Sequence, residues 1–490
     1  MNPFQEYVRN ETRRQFLARG KNVLGAAALS SLLGTAWRAL GESQPQTAIG
    51  GLPGIPHFAP KAKRVIYLHM VGGPSQMDLY DYKPTMKEQY DKDLPDSIRM
   101  GQRLTTMTSK QKRFPIAPSK YEFKQHGKCG MWVSEMLPWT AKCVDDMAFI
   151  RSMHTEAINH EPAITHMQTG NMIGGRPCLG SWVSYGLGSL NANLPTFVVL
   201  VAEPSNKDQV QAISGRLWSS GYISGEHAGV SFRSQGDAIL YVSNPPGVPA
   251  ALREAQLNNL RKLNERTFQT VGDPETHTRI QQYEMAFRMQ SSVPELMAVG
   301  SEPNSTYELY GEEARKPGTF AYTALLARRL AERGVRFVQI YHNNWDHHGN
   351  LTGRMPSQCK DVDQATYGLL TDLKARGMLD DTLVIWGGEF GRTIYSQGGL
   401  TKENYGRDHH PRAFTMWMAG GGIKGGTIYG KTDDFSYNIV ENPVHVRDFH
   451  ATILHVLGIK HNQFTYKYQG LNQRLTGVDA EAQVVKALLA

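Results

Sequence analysis

Residues 65–71 read Val65-Ile66-Tyr67-Leu68-His69-Met70-Val71 and run directly into Gly72-Gly73-Pro74. An apolar run without polar alternation predicts a buried strand, and the glycines and proline predict a tight turn at its end. Similar apolar runs recur at 147–150, 194–201, 336–341, 382–386 and 414–419, and helical patterns occur at 249–293, 319–333, 361–376 and 446–457. Strands that alternate with helices predict a mostly parallel sheet covered on both faces, and we expect one large domain over residues 63–490.

Composition and charge exclude several classes of protein. The 490 residues are 40% hydrophobic and 20% charged, as in an ordinary globular protein, and no apolar run is long enough for an integral membrane span. The formal net charge is +8, and residues 1–45 contribute three of these charges, with six Lys/Arg against three Glu. The mild remainder forms no basic stripe interleaved with aromatic residues, so no nucleic-acid partner is expected.

The first 45 residues read as a targeting segment. Arg13 and Arg14 precede a mostly apolar stretch, Val23–Trp37, which is too short to span a bilayer and has the length of a signal core. Paired arginines before such a stretch resemble a twin-arginine export signal, with a basic amphipathic helix as the alternative. We therefore predict a signal segment over 1–45, a Gly/Pro-rich linker over 46–62, the twin-arginine export machinery as a partner, and a periplasmic or cell-surface location.

Two polar clusters follow predicted strands, where ligands bind in parallel sheets. The strand that ends at Tyr341 runs into a loop containing Asp346, His347 and His348, and carboxylate and imidazole groups there suit Zn²⁺ or another divalent cation. The next strand ends at Gly387 and is followed by Glu389 and Arg392. Glu389 is placed as a ligand or general base, and Arg392 as a group that holds an anion. The alternatives are a polar surface loop and a Glu–Arg pair that fixes the turn.

Two further clusters complete the predicted site. Asp408, His409 and His410 precede the strand at 414–419, and Asp408 is a candidate to orient a histidine through its other ring nitrogen. His160 lies near a predicted helix start, where the helix dipole and free N–H groups favour an anion. The alternative for His160 is a capping loop in which the imidazole faces water.

These segments together resemble an exported, sulfatase-like family of the alkaline phosphatase superfamily, known as domain of unknown function 1501. The matching stretches are Gly72–Asp78, Trp345–Asn350, Gly388–Thr393, Gly406–Pro411, Ala419–Gly422 and Asp448–Ile453. The resemblance covers nearly all of residues 60–480. It implies a three-layer α/β/α sandwich with an alkaline phosphatase-like fold, and it implies no known substrate.

The resemblance also implies site residues. Members of the superfamily bind two metals, and the ligands of the first correspond here to Asp346 and His348, with His347 as a rival, and to His409, with His410 as a rival. The Asp-His pair that binds the second metal corresponds to Glu389 and Phe390. Because phenylalanine cannot bind a metal, this sequence lacks one ligand of the second metal. The aspartate of the first strand has no direct match; Ser75, Asp78 and His69 are the candidates.

The most informative difference between this sequence and the superfamily pattern is at the position of the superfamily's nucleophile. It lies nine residues before a Thr-Gly pair, here Thr169-Gly170, and is occupied by His160. The local sequence from His160 to Ile164 lacks the Cys or Ser that formylglycine formation requires, so formylglycine sulfatase chemistry is not expected. His160 is then a metal ligand, a nucleophile that forms phosphohistidine, or part of an inactive site.

The sequence therefore predicts an exported metal-dependent hydrolase of phosphate or sulfate esters, acting on an anionic small-molecule or glycan ester. The predicted cation is divalent, zinc or else calcium or manganese. Its predicted ligands are Asp346, His348, His409, His410, Glu389 and Ser75, with His160, Glu389 and Arg392 in catalytic roles. The alternative is a non-catalytic protein that binds an anion or glycan, or serves as a scaffold, on a degenerate sulfatase-like fold.

Overall fold

The structure, a computed structural model, describes residues 49–208, 210–234, 238–239, 244, 247–272, 274–478 and 481–490. The predicted signal segment over 1–45 lies outside the described residues, as does the start of the predicted linker. Within the described ranges, no helix combines the length and the apolar character needed to cross a membrane.

The strands form one large sheet and four small two-stranded ones among the described residues. Their bounds are β1 (Arg64–Met70), β2 (Phe123–His126), β3 (Met131–Ser134), β4 (Met147–His154), β5 (Phe197–Ala202), β6 (Val230–Phe232), β7 (Phe337–His342), β8 (Thr382–Gly387), β9 (Gly391–Ser396), β10 (Arg407–His410), β11 (Phe414–Ala419), β12 (Thr427–Tyr429), β13 (Lys431–Thr432), β14 (Ile439–Glu441), β15 (Val444–His445), β16 (Tyr466–Tyr468) and β17 (Leu471–Gln473).

The helices connect and cover these strands. Their bounds are α1 (Gln76–Leu79), α2 (Asp96–Arg99), α3 (His160–Thr169), α4 (Leu179–Leu187), α5 (Ala250–Val271), α6 (Pro274–Met297), α7 (Asn304–Tyr310), α8 (Phe320–Glu332), α9 (Leu351–Ala375) and α10 (Val446–Val456).

The large sheet is mostly parallel, as predicted. Its order is β12-β4-β11-β8-β1-β7-β5-β6, and β15 also pairs with β4. Strand β1 is parallel to both β7 and β8, and β5 is parallel to β7 and β6. Strand β11 runs antiparallel to β8 and β4. A parallel neighbour needs a long crossover, usually a helix, and the chain between β8 and β11 contains only the β9–β10 hairpin, so it returns in the opposite direction.

Helices cover both faces of this sheet, which confirms the predicted α/β class. On one face, α4 and α10 bury Trp182, Val183 and Ile453 against Val65 and Tyr67 of β1. On the other face, α8 packs on β7, β5 and β1. The central strands β1, β7 and β8 are buried almost throughout, as expected for parallel strands between two helical layers.

The chain divides into two compact units. One comprises residues 48–241 and 291–490 and contains the sheet with its covering helices. The other comprises residues 1–47 and 242–290, and its described part consists of α5 and most of α6. The predicted single domain over 63–490 stays a prediction.

Candidate metal centre

The polar loops that follow the strands meet at one edge of the sheet. Strands β1, β7 and β8 are adjacent and parallel, with Met70 opposite His342 and His69 opposite Gly387, so their carboxyl ends coincide. Strand β4 is antiparallel to β11, which is itself antiparallel to β8, so β4 ends at the same edge. The loops after these four strands therefore converge, as predicted.

One carboxylate oxygen lies at the centre of this convergence. Asp346 Oδ1, in the loop after β7, is 2.9 Å from His348 Nε2, 3.2 Å from His160 Nε2 and 3.5 Å from His409 Nε2. His160 is the first residue of α3, and His409 lies in β10, opposite Arg392 of β9. The four ligand atoms lie within 4.8 Å of one another. Three segments that are distant in sequence thus present three imidazoles to one carboxylate.

The other ring nitrogen of two of these histidines faces a group that can only accept a hydrogen bond. His409 Nδ1 is 2.7 Å from the carbonyl oxygen of Ile158, and His160 Nδ1 is 2.7 Å from Glu389 Oε1. A carbonyl or carboxylate oxygen fixes the proton on the facing ring nitrogen. In the neutral imidazoles of His160 and His409, Nδ1 therefore carries the proton and Nε2 carries a free lone pair.

The third histidine is held in the same way. His348 Nδ1 is 2.6 Å from Gln397 Oε1, which accepts a hydrogen bond from the protonated ring nitrogen. The Nε2 lone pair of His348 is then directed at Asp346, like those of the other two imidazoles. Partners that fix the far nitrogen of a histidine and orient its ring are a regular feature of histidine metal ligands.

This arrangement fits a divalent cation. When the imidazoles are neutral, lone pairs aimed at a carboxylate repel it unless a cation lies between them, and the buried Nε2 atoms of His160 and His409 have no hydrogen-bond partner among the described residues. Without a cation, burial by itself would lower the pKa of His160, but Asp346 and Glu389 outweigh it and raise that pKa instead. Ligand atoms about 3.3 Å apart are expected around a tetrahedral ion whose bonds are about 2.0–2.1 Å long. The three distances from Asp346 Oδ1 scatter around that value. His160, Asp346, His348 and His409 would hold the ion.

Arg392 is part of the same cluster. Its side chain is fully buried, and Nη2 lies 2.6 Å from Asp346 Oδ1. Its other hydrogen bonds go to backbone carbonyls, from Nε to Gly73 at 2.9 Å, from Nη1 to Arg407 at 3.1 Å and from Nη2 to Gly72. The guanidinium therefore faces oxygen atoms of the protein, and it fixes the Asp346 carboxylate.

The charges of the cluster act on one another. Burial by itself would raise the pKa of Asp346, but Arg392 and the three imidazoles outweigh it, and the pKa lies below its ordinary value. Burial lowers the pKa of His409 to about 4, so this imidazole is neutral at physiological pH. Glu389 is fully buried, which favours its neutral form, yet His160 beside it keeps the pKa of the carboxyl low.

A glycine turn after β1 joins the parts of the site. Gly72 donates its N–H to Glu389 Oε1 at 2.9 Å, while its carbonyl accepts from Arg392. Gly72 has φ of +120°, and a Cβ there would lie 2.5 Å from the backbone nitrogen of Asp346. Only glycine allows the loops after β1 and β7 to approach so closely. The sequence predicted a tight turn here and gave no indication of its contacts with Glu389 and Arg392.

Two predicted metal ligands have other partners. His410 alternates with His409 along β10, and its ring nitrogens face Gln102 Nε2 at 3.1 Å and the carbonyl of Tyr437 at 2.5 Å. Ser75 donates to Asp78 Oδ2 at 2.5 Å, and Asp78 is paired with Arg407. The hydrogen bonds of His410, Ser75 and Asp78 are thus made within the protein core.

The structure also distinguishes between the alternative candidates for the metal ligands and their supporting residues. His348, rather than His347, reaches Asp346, while His347 is buried with its ring 6.4 Å from that of Trp345. His69 Nε2 lies 3.6 Å from Glu389 Oε2, behind the carboxylate that holds His160. Asp408 does not hold the ring of His409 as expected; it accepts the backbone N–H of His409 at 2.8 Å, and the ring is held by Ile158.

Sequence reasoning missed several residues of the site. Gln397 orients His348, and Gln211 donates to Asp346 Oδ2 at 2.8 Å. Phe390 packs its ring against those of His160 and His409, at centroid distances of 5.0 and 4.5 Å. Loop glutamines carry no pattern that marks them as partners of a histidine, whereas Phe390 stood out only as the place of an expected histidine.

A second group with metal-binding composition consists of Glu156, His166 and His445. His445 caps α10, since its Nδ1 accepts the backbone N–H of Arg447 at 3.2 Å, and its proton is then on Nε2, 2.8 Å from Glu156 Oε1. His166 Nδ1 is paired with the hydroxyl of Thr155 at 3.1 Å. Helix capping and the hydrogen bonds of His445 and His166 account for this group without a metal.

Comparison with known proteins places the chain in a sequence family. The family model described as "Protein of unknown function (DUF1501)" matches residues 62–489. No curated protein matches the chain.

Several solved structures are similar at low scores. The alkaline phosphatase from the Antarctic bacterium TAB5 is 9% identical, with 81% of this chain and 98% of that chain covered and a TM-score of 0.29. The sulfatase PsFucS1 from Pseudoalteromonas sp. is 12% identical, with 81% and 68% covered and a TM-score of 0.29. The lipoteichoic acid synthase LtaP from Listeria monocytogenes is 10% identical, with 86% and 76% covered and a TM-score of 0.31. At these values the likeness says nothing about the chemistry of this chain.

Proposed function

The chain belongs to the DUF1501 family, and from its site we propose that it is an exported, metal-dependent hydrolase of phosphate or sulfate esters. The observation that carries this proposal is the convergence of three oriented imidazole nitrogens on Asp346 Oδ1. A bound divalent cation supplies a Lewis acid that polarises an ester oxygen and acidifies a water molecule.

The donor set favours zinc among the three cations considered. Three imidazole nitrogens and one carboxylate oxygen are ligands typical of Zn²⁺. Calcium takes six to eight oxygen ligands, and manganese prefers oxygen donors, so this nitrogen-rich set suits neither as well. Manganese remains the second choice because it also accepts imidazole ligands.

Glu389 and His160 act together at the start of α3. The 2.7 Å hydrogen bond from His160 Nδ1 to Glu389 Oε1 keeps the proton on that nitrogen and turns Nε2 towards the cation position. Gly72 N–H holds Glu389 in place. In this proposal His160 is a ligand rather than a nucleophile, and Glu389 is the group that orients it and raises its basicity.

Access to solvent supports hydrolysis at this centre. The His160 and His348 side chains are 13% and 14% exposed, whereas those of Asp346 and His409 are 8% and 3% exposed. In this proposal an ester and a water molecule reach the cation from the side of these two partly exposed histidines. We do not propose formylglycine chemistry, because α3 begins with His160 rather than with Cys or Ser. Cys178 is buried, and its Sγ is hydrogen-bonded to the Ser181 hydroxyl at 3.2 Å.

A second candidate function follows from the number of ligands. Four protein ligands complete a tetrahedral zinc site, as in structural centres, whereas catalytic zinc keeps a position open. A non-catalytic protein that binds an anion or glycan beside a permanently held metal is therefore the competing proposal. For hydrolysis, the ion must accept water or the ester as a fifth ligand, or His160 must dissociate from the ion.

One experiment separates the two functions. The protein is purified from its own export route, its metal content is measured by elemental analysis, and it is assayed with phosphate and sulfate mono- and diesters before and after chelation. Metal-dependent turnover that His160→Ala abolishes supports the hydrolase. One tightly held metal without turnover supports the binding protein, and absence of metal contradicts both.

A further inference from the structure

We infer that Arg392 is a built-in second cation of this centre: its guanidinium fills a cage of four oxygens beside the metal position, fixes Asp346, and limits the site to one metal ion. This inference rests on the metal centre of the proposed function. It assigns to Arg392 a role different from the predicted contact with the transferred group, which stays a prediction.

The cage is formed by three segments of the chain. Gly72 and Gly73 offer their carbonyl oxygens from the turn after β1, Arg407 offers its carbonyl from β10, and Asp346 offers Oδ1 from the loop after β7. Oxygens of this kind, carbonyl and carboxylate, are also what a hard metal cation would bind. Here the guanidinium is hydrogen-bonded to all four.

The guanidinium leaves no room for a second metal on the same carboxylate. Arg392 Nη2 is 2.6 Å from Asp346 Oδ1, the oxygen that the proposed metal would bind at about 2.1 Å. The two positive centres would then be roughly 4 Å apart, which is the separation of the ions in two-metal sites. Because arginine keeps its proton in proteins, this positive charge is permanent and independent of metal supply.

Arg392 is therefore a positioning residue. Four of its five N–H groups donate to oxygens of the protein, and the side chain is 1% exposed. Its contact with Asp346 Oδ1 turns that oxygen towards the three imidazoles. Without the guanidinium, Asp346 would keep the Gln211 hydrogen bond at Oδ2 but lose the charged partner of Oδ1, and the cage would be left without its cation.

The test is a cavity variant with chemical rescue. Arg392→Ala is loaded with Zn²⁺ in competition with a chromophoric chelator, with and without millimolar guanidinium, and urea serves as a neutral control of nearly the same shape. We expect Zn²⁺ affinity to fall about 10- to 100-fold, as for other groups that orient metal ligands, and to recover with guanidinium but not with urea. Circular dichroism and thermal melting establish that the variant is folded.

The outcomes distinguish this inference from the proposed function. Unchanged Zn²⁺ affinity in folded Arg392→Ala, or equal rescue by urea, overturns the role of Arg392. If the variant does not fold, the metal content of the wild-type protein under excess Zn²⁺ is measured instead. One equivalent of metal per chain supports the inference. Two equivalents overturn the inference but leave the proposed function standing. No bound metal in the wild-type protein overturns the proposed function, and the inference with it.

Discussion

Asp346 shows how a single atom can organise a site. Its Oδ1 faces three imidazole nitrogens and one guanidinium, while its Oδ2 accepts from Gln211. The buried negative charge is compensated by Arg392 whether or not a metal is present. The metal ligands can therefore be held ready before the ion binds, which reduces the reorganisation that binding requires.

Adjacent histidines of β10 allow a matched comparison. His409→Gln removes a proposed ligand, and we expect the metal content to fall from one per chain to near zero. His410→Gln removes an equally buried imidazole that bonds Tyr437, so it should cost about 1–3 kcal/mol of stability but keep the metal. Elemental analysis of both purified variants tests this. Equal metal content in the two would contradict the assignment.

Glu389→Gln tests the orientation of His160. The substitution preserves shape and leaves an acceptor for His160 Nδ1, but it removes the charge that strengthens this hydrogen bond. We expect Zn²⁺ affinity about 10-fold weaker with little change in fold, measured by chelator competition. An unchanged affinity would mean that Glu389 does not support His160.

The sequence indicated the site better at some residues than at others. Asp346, His348, His409 and His160 could be predicted because Asp and His cluster beyond apolar strands or match a family pattern. The choice of His409 over His410 depends on which side of β10 faces the loops, and sequence alone could not decide it. The role of Arg392 depends on backbone carbonyls, which carry no sequence signal.

At the scale of elements, the turn after β1 explains why the loops can meet. The φ values of Gly72 and Gly73 are +120° and +66°, and a Cβ at Gly73 would lie 2.8 Å from the Phe390 ring. The turn fits between the backbone of Asp346 and Phe390. Its carbonyls and N–H group are thereby brought to Arg392 and Glu389.

A pair of glycine substitutions tests this turn. Gly72→Ala places a Cβ against the Asp346 backbone, so we expect both a loss of Zn²⁺ affinity and a destabilisation beyond the strain of positive φ. Gly54→Ala also introduces a Cβ at positive φ, here +77°, but into open space, and it should cost about 1 kcal/mol without affecting the metal. Chemical denaturation and metal titration measure the two effects. Equal effects of the two substitutions on metal binding would contradict the role of the turn.

The contact of α3 with α10 makes stability depend on pH. His450 of α10 is fully buried and donates to the carbonyl of Met167 in α3, and burial lowers its pKa to about 4. The unfolded chain takes up this proton near pH 6.5, so stability is lost as the pH falls from 6.5 towards 4.

His450→Gln tests this dependence. The slope of the unfolding free energy against pH should decrease by up to about 1.4 kcal/mol per pH unit in this window, measured by denaturant titration of the metal-free protein. An unchanged slope would show that His450 is protonated in the folded state as well.

The elements themselves were largely predictable. The apolar runs at 65–71, 336–341 and 382–386 became β1, β7 and β8, since buried parallel strands need continuous apolar sequence. The hairpin of β9 and β10 was not predicted, because most of its buried residues are polar or charged and only Ile394 and Tyr395 interrupt this pattern. The side chains of Arg407 and Arg392 link its two strands by hydrogen bonds to backbone carbonyls, and Ile394 and Tyr395 add apolar packing.

At the scale of the whole molecule, the unit that contains the sheet brings all proposed ligands to one edge. This unit includes residues 48–241 and 291–490, so His160 and His409 meet although 248 residues separate them in sequence. A site assembled from such distant segments forms only with the complete sheet. We therefore expect metal binding and global stability to be coupled.

Removal of the metal tests this coupling. Chelation should lower the melting temperature of the wild-type protein and leave that of Asp346→Asn unchanged, because the variant carries no metal to lose. The variant should also be less stable by about 3–5 kcal/mol, since Arg392 is left as an unpaired buried charge. Calorimetry with and without chelator measures both effects. A chelator-independent melting temperature in the wild-type protein would contradict the coupling.

The most direct test of the central claim is anomalous diffraction from crystals of the Zn²⁺-loaded protein. The account predicts one peak about 2.0–2.2 Å from the Nε2 atoms of His160, His348 and His409 and from Asp346 Oδ1. A peak at another set of residues, or no peak in crystals grown with Zn²⁺, would contradict it.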